Sequence, residues 1–384
     1  MNFLGFIGMF TMDRQVEPAP GFIVRPIAAV FGYFIDFLFN IIYAIGPAHS
    51  LGITIVIMTI IFRAAMMPLS IKSQKSMMKM RELKPELDKI QEKYGKSKDP
   101  EVIKKMNAEK SALIAKNDAN PLKGCFPMLL QMPLFIGLNF IMRQAFLYIA
   151  RLRDLYYELA VAIQQVPDYV ELLVSRSMRE ARALPDYVAN ATRLLTDSMY
   201  ENGQEVARLM QRYGYSLEYA REQVGETLFV RVPEDLSRII HRFTANNWLW
   251  LQENVPAEYW SDIGQLNDRR QAIESFFGLS MVLPAGPTWP QVILPILTVL
   301  TMLCSQWLSQ LRMYDPNADD KVKMQQKIMM IVMPFFIGFI TLGLPGGVAL
   351  FWITSQLFQF VQDLILNKKD GIPLRLPFTN KEAS

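Results

Sequence analysis

One charge interrupts the apolar stretch Leu51–Leu69, LGITIVIMTIIFRAAMMPL: the guanidinium of Arg63. Thr59 lies four residues earlier, on the same helical face. Together they could hold an anionic group away from bulk water. A charge inside a spanning helix costs a few kcal/mol and marks a wet cavity or a partner. Arg63 is about five residues from Pro68, or roughly 7–8 Å of helix, so snorkelling to the headgroups is the competing reading. A second polar set, Trp352, Gln356, Gln359 and Asp363, recurs at i, i+4, i+7 and i+11 in another apolar segment. It could line a polar path or join helices by hydrogen bonds. Covalent and metal chemistry find little support. Cys125 and Cys304 both sit in apolar stretches, and His49 and His241 are far apart. Gly95-Lys96-Ser97 would need glycine at position 90 to be a phosphate loop, where Ile90 stands. The chain reads as no enzyme, with no cofactor and no metal.

These residues need a membrane to make sense, and the totals provide one. The 384 residues are 51% apolar and 20% charged, with net charge +4. That is too apolar for an ordinary soluble protein and too charged for a bare helix bundle. The reading is an all-α membrane protein. After an N-terminal segment (1–21) comes a helix over 22–47. Arg25, Asp36 and Asn40 fall on one stripe of it, which suits a helix lying in the interface; a full span is the alternative. The first core span is 50–69, closed by Pro68. A polar segment, 70–123, carries fourteen Lys/Arg against eight Asp/Glu. Leu83, Leu87, Ile90 and Tyr94, then Val102, Ile103, Met106, Leu113 and Ile114, predict an antiparallel helical hairpin with one apolar seam. Asp99 is positioned to cap its second helix, with Pro100 in the first position. Met77, Met78 and Met80 crowd its membrane end beside Lys84, and flexible methionines suit adaptable apolar contacts, or plain packing.

Further spans follow at 124–149, 288–311, 328–344 and 346–367, with a loop at 312–327 and a tail at 368–384. Between the second and third spans, 150–287 changes composition. No lysine occurs from Lys123 to Lys321, and acidic residues outnumber basic ones by nineteen to fourteen in 151–287. The pattern predicts a mostly helical domain with Trp248, Trp250 and Trp260 in its core or at the membrane surface. The positive-inside rule places 70–123, 312–327 and the C-terminus in the cytoplasm and 150–287 outside.

The motifs TIIFRAAMMPL (59–69), KPELDKIQEKYG (84–95), NPLKGCFPMLLQMPLFIGL (120–138), ILPILTVLTM (293–302), MQQKIMMIVMP (324–334) and LPGGVALFWITSQ (344–356), in this order, resemble the YidC/Oxa/Alb membrane protein insertases. The resemblance covers about 22–149 and 288–369. It implies a five-helix core in the bacterial plasma membrane, around a hydrophilic groove open to the cytoplasm and the lipid. Arg63, Thr59 and Gln131 match its groove positions, Trp352 falls at a substrate-contacting aromatic, and Gln306 and Gln356 add hydrogen-bonding groups. Expected partners are nascent membrane proteins, the ribosome and the lipid bilayer, with the Sec translocon as a candidate and DNA excluded. The segment 150–287 departs from the short loop that relatives usually have there, and the large periplasmic domain of Gram-negative members is absent. The competing function is a secondary transporter or channel for a small anion bound at Arg63. It would call for internal repeats, and none is visible.

Overall fold

A computed structural model describes residues 24–95, 99–117, 135–174, 233–286 except 242, 289–313 and 328–372, with the single positions 119, 132 and 324. They are almost entirely helical. Among the described residues, four helices are long and apolar enough to cross a membrane: Ala28–Ile45, Ser50–Met80, Ile293–Leu311 and Gly346–Lys369, with a shorter apolar helix at Met330–Thr341. The described part of the expected second span is helical from residue 135 onward. Its earlier half, with Cys125 and Gln131, lies outside the described residues, as do the 312–327 loop in the main and the tail beyond 372. The chain forms two compact units, one of 1–54, 137–284 and 344–347, the other of 55–136, 285–343 and 348–384.

The first unit is built on α1 (Val24–Ile45) and the helices of the segment after the second span: α5 (Ala150–Gln164), α6 (Pro233–Ile240), α7 (Ala245–Asn254) and α8 (Ala257–Glu274). Helix α5 is amphipathic. It buries Leu152, Leu155, Tyr156, Leu159 and Ile163 against Leu236 and Ile240 of α6 and Ile263 and Ile273 of α8. A capping box starts α7, where the Thr244 hydroxyl accepts from the Asn247 backbone N–H and the Asn247 side chain accepts from the Thr244 N–H. After α8 a two-stranded hairpin follows, β1 (Ser275–Phe276) paired with β2 (Leu279–Ser280). The chain then runs alongside the Leu344-Pro345-Gly346-Gly347 turn. The N–H of Gly346 donates to Leu283 and that of Gly347 to Met281, with Pro284 bridged to Pro345.

The polar stripe of α1 is used inside the protein. Helix α5 has no side-chain cap of its own at Ile149. Instead, Oδ1 of Asp36 accepts from the Ala150 N–H at 2.9 Å. This carboxylate caps the positive end of α5 from another helix. Asn40 accepts from Arg151 Nε at 2.8 Å, and the Arg151 guanidinium lies 4.7 Å from the Tyr43 ring centre. Asp36 and Asn40, expected to face the headgroups, are thus partners of the following domain. Val30, Tyr33, Phe37, Ile41 and Ile45 remain exposed at helical spacing along the opposite side.

The second unit holds most of α2 (Ser50–Glu82), the hairpin α3 (Lys84–Tyr94) and α4 (Pro100–Lys116), α9 (Ile293–Met313), α10 (Met333–Thr341) and most of α11 (Gly346–Lys369). Helix α2 does not end at Pro68 as the sequence suggested; it continues to Glu82 with Pro68 inside. Pro68 has no N–H to offer the carbonyl four residues back, a cost in any helix interior. The helix continues because its second half is held by α11. Ser73 and Ser76 are buried there, Gln74 Nε2 donates to Asp363 Oδ1 at 2.9 Å, and Gln362 Nε2 donates to Ser70 Oγ at 3.2 Å. The hairpin proper therefore starts near Leu83. Its seam is half-buried, with no fully buried residue in either helix. Asp99 caps α4 by accepting from the Glu101 N–H at 3.0 Å, as expected. An exposed cluster of Lys93, Tyr94 and Glu109 joins the two helices at 2.8–3.0 Å. Helices α9 and α10 approach so closely that a Cβ on Gly338 would run into Val299. A π-helical turn, Ile328–Val332, precedes Pro334.

Candidate functional site

The buried stripe of α2 runs Leu51, Ile55, Met58, Thr59, while Ile60 and Ile61 on the other side are each 44% exposed. Arg63 continues the buried side by one turn and is itself half-buried. Its charge thus lies on the inward, protein-facing stripe. Among the described residues it makes no ion pair and no hydrogen bond. Thr59 is fully buried, and its hydroxyl donates to the Ile55 carbonyl at 2.6 Å. That bond spends its proton on its own helix and leaves the oxygen as an acceptor only.

Elsewhere in the second unit, α9 and α11 carry small polar groups at buried positions. Thr298 and Ser305 of α9 are buried, as are Thr354 and Ser355 of α11. Thr298 and Thr301 back-bond to the carbonyls of Leu294 and Leu297. Gln306 and Gln356 are half-buried. Trp352 is half-buried and stacks on Phe135, with ring centres 4.8 Å apart and planes 7° from parallel.

The polar stripe of α11 divides into two. Its far end is helix glue: Asp363 is fully buried and accepts from Gln74 and, at 3.0 Å, from Gln359, while Asn367 donates to the Leu308 carbonyl at 3.1 Å. Gln356 and Trp352, one and two turns nearer the start than Gln359, take no part in that network. The helix-joining reading thus holds for the Gln359–Asp363 end of the stripe. Gln131 lies outside the described residues. Met77 is 40% exposed, and Met78, Met80 and Lys84 are half-buried at the junction of α2 with the hairpin.

Sequence reasoning missed a third polar group, in the core of the first unit. The Tyr156 hydroxyl donates to Glu274 Oε1 at 2.6 Å. Arg270 pairs with Glu274 Oε2 at 2.8 Å, donates to Asn267 Oδ1 through Nε and Nη2, and lies 4.8 Å from the Trp248 ring centre. Burial, then the nearby Glu274 carboxylate, push the Tyr156 hydroxyl well above its ordinary pKa. Burial also raises the Glu274 carboxyl, against the pull of Arg270 and Tyr156. The i,i+4 spacing of Arg270 and Glu274 was the available signal; on a soluble helix it reads as a solvated pair. The network makes a rigid domain core and offers no open chemistry.

A family model described as 60Kd inner membrane protein matches residues 42–207 and 238–371, most of the chain. The chain belongs to this family. It is that of the YidC/Oxa/Alb membrane protein insertases, to which the motifs pointed. Membrane protein insertase YidC of Oceanobacillus iheyensis is 24% identical over 317 residues, 83% of this chain and 74% of that protein. Membrane protein insertase YidC 1 of Bacillus anthracis is 42% identical over 111 residues, 29% of this chain and 43% of that protein. Membrane protein insertase MisCA of Bacillus subtilis is 45% identical over 86 residues, 22% of this chain and 33% of that protein. The chain thus spans less than half of the length of two of these relatives. The family match enters the segment expected to be an insertion from both sides, leaving out only 208–237.

Proposed function

We propose that this member of the insertase family inserts nascent membrane proteins through a hydrophilic groove on the inner side of α2, α9 and α11. The observation that carries the reading is Arg63: a half-buried cation on the inward stripe of a membrane helix, without a carboxylate partner among the described residues. Acidic and polar groups of a substrate tail meet this charge in a medium of lower dielectric than water, where Coulomb attraction is stronger. Gln306 and Gln356, and Gln131 by the family resemblance, offer hydrogen bonds that offset the desolvation of a passing polar segment. Trp352, stacked on Phe135, supplies an apolar surface for the hydrophobic part. Passage of that part into lipid drives the process at roughly 25 cal/mol per Å² of apolar surface removed from water.

The basic hairpin and the methionines beside it serve as the docking surface for the ribosome in this scheme, where basic charge meets anionic RNA. It lies in the cytoplasm, with the C-terminus, and the Sec translocon is a further candidate partner. The test is photo-crosslinking of a stalled nascent chain to probes at Gln306, Trp352 and Gln356, with the surface-exposed Leu300 and Leu357 as controls. Adducts at the first set that exceed those at the controls support the groove. Equal labelling at both sets removes it.

A further inference from the structure

We propose that the tip of the β1–β2 hairpin, Phe277-Gly278, docks into the lipid headgroup layer of the leaflet on the side of the 150–287 domain. The tip is shaped in an unfavourable way for a soluble turn. Both of its residues have positive φ, 49° at Phe277 and 79° at Gly278. Two-residue hairpins of this form favour Asn-Gly or Gly-Gly, and a bulky residue in the left-handed region is an outlier. Phe277 is also 79% exposed, so internal packing repays little of that strain. An aromatic ring held outward at a strained position invites a functional account.

The surroundings of the tip say what it meets. The His49 backbone N–H donates to the Ala272 carbonyl at 2.7 Å, and His49 Nδ1 lies 2.8 Å from the Ser275 carbonyl oxygen. The His49 ring stacks on Phe277 with centres 5.6 Å apart. His49 directly precedes α2. Phe276 lies so close to Gly52 that a Cβ there would be 2.5 Å from its ring. The chain from Ala272 to Phe276 therefore runs beside the helix from His49 to Gly52, into the apolar stretch that begins at Leu51. The tip follows at the border where α2 enters the membrane. Ile45, at the end of α1, is 83% exposed in the same unit. The sequence agrees: no charged residue occurs between Glu274 and Arg312. Aromatic rings are at home in the interface, so lipid is the occupant that matches this position and composition.

The test uses the full chain in nanodiscs of phosphatidylethanolamine and phosphatidylglycerol, with Cys125 and Cys304 replaced by serine. An environment-sensitive fluorophore is attached at Phe277→Cys, and in a second variant at Leu279→Cys in case the first fails to fold. Leu300→Cys is the lipid control and Glu253→Cys the water control. The expected result is loss of fluorescence to lipids spin-labelled near the headgroup, with little loss to aqueous iodide, as at position 300. Quenching by iodide but not by the labelled lipids, as at position 253, overturns the proposal. Protection from both quenchers also overturns it, because it would place the tip against protein. Neither outcome depends on insertase activity, so the groove reading stands or falls separately.

Discussion

Replacing Glu274 by glutamine should loosen the helical domain far more than an i,i+4 pair on a solvated helix would suggest. The side chains of Arg270 and Glu274 are only 8% and 5% exposed, and their charged atoms are 2.8 Å apart. At an effective dielectric of about 20, two unit charges at that distance attract by ~6 kcal/mol, before the cost of desolvating them. Removing one partner of such a buried pair costs about 3–5 kcal/mol, because the other charge is left uncompensated. Arg270 would keep its bonds to Asn267 and its contact with the Trp248 ring, the latter contributing about 0.5–2 kcal/mol. The expected loss is therefore near the lower end, ~3 kcal/mol, or about a hundredfold in the local opening equilibrium. Hydrogen exchange of the Ala257–Glu274 amides, in detergent and below the unfolding temperature, reads this directly. The triple replacement Tyr156→Phe, Arg270→Met, Glu274→Leu removes all the polar ends together and should cost much less than Glu274→Gln alone. A rise in exchange of less than about fivefold for the single variant would refute the reasoning, since ~1 kcal/mol is what an exposed pair can contribute.

Four other outcomes follow from the structure. The Tyr156 hydroxyl is held protonated in the folded state above its ordinary pKa of about 10, so its contribution is complete below pH 10 and is lost as pH rises further; Tyr156→Phe should flatten the alkaline fall of domain stability, measured by unfolding between pH 8 and 11. Arg63→Ala should abolish insertion of an acidic-tailed substrate into vesicles, and Arg63→Lys should keep much of it if charge rather than bidentate geometry matters; full activity of the alanine variant would eliminate the charge mechanism. The α3–α4 hairpin, with no fully buried residue, should exchange its amides faster than α9 or α11, and equal protection would show a rigidly docked hairpin. Excision of 208–232 with a Gly/Ser linker should leave folding and insertion intact, because the family match skips 208–237, whereas loss of the whole 150–287 domain would also strip the partners of His49 and of the Leu344–Gly347 turn; a well-folded 208–232 deletion that inserts nothing would place that stretch in the mechanism.

The sequence by itself determined the class, the family and most of the helices. Apolar length, 3.6-residue periodicity and the capping pair Asp99-Pro100 are local signals, and each acts within a few turns of chain. Arg63 was legible for the same reason: a charge within an apolar run is conspicuous in one dimension. What the sequence could not decide is which partner each polar residue takes. Pro68 looked like a helix end because its local cost is visible and the long-range bonds of α11 to Gln74 and Ser70 are not. Asp36 looked like a headgroup-facing residue, yet its carboxylate caps a helix that starts at Ala150. The stripe from Trp352 to Asp363 has one period in sequence, yet its members take different partners: Asp363 bonds to Gln74 of α2, whereas Trp352 stacks on Phe135. The Tyr156–Glu274–Arg270 group is joined across more than a hundred residues, and burial turns an ordinary surface spacing into a core ion pair. Backbone preference and hydrophobic pattern are written along the chain, whereas hydrogen-bond partnership and local dielectric are properties of the packed assembly. Only the tertiary structure sets them.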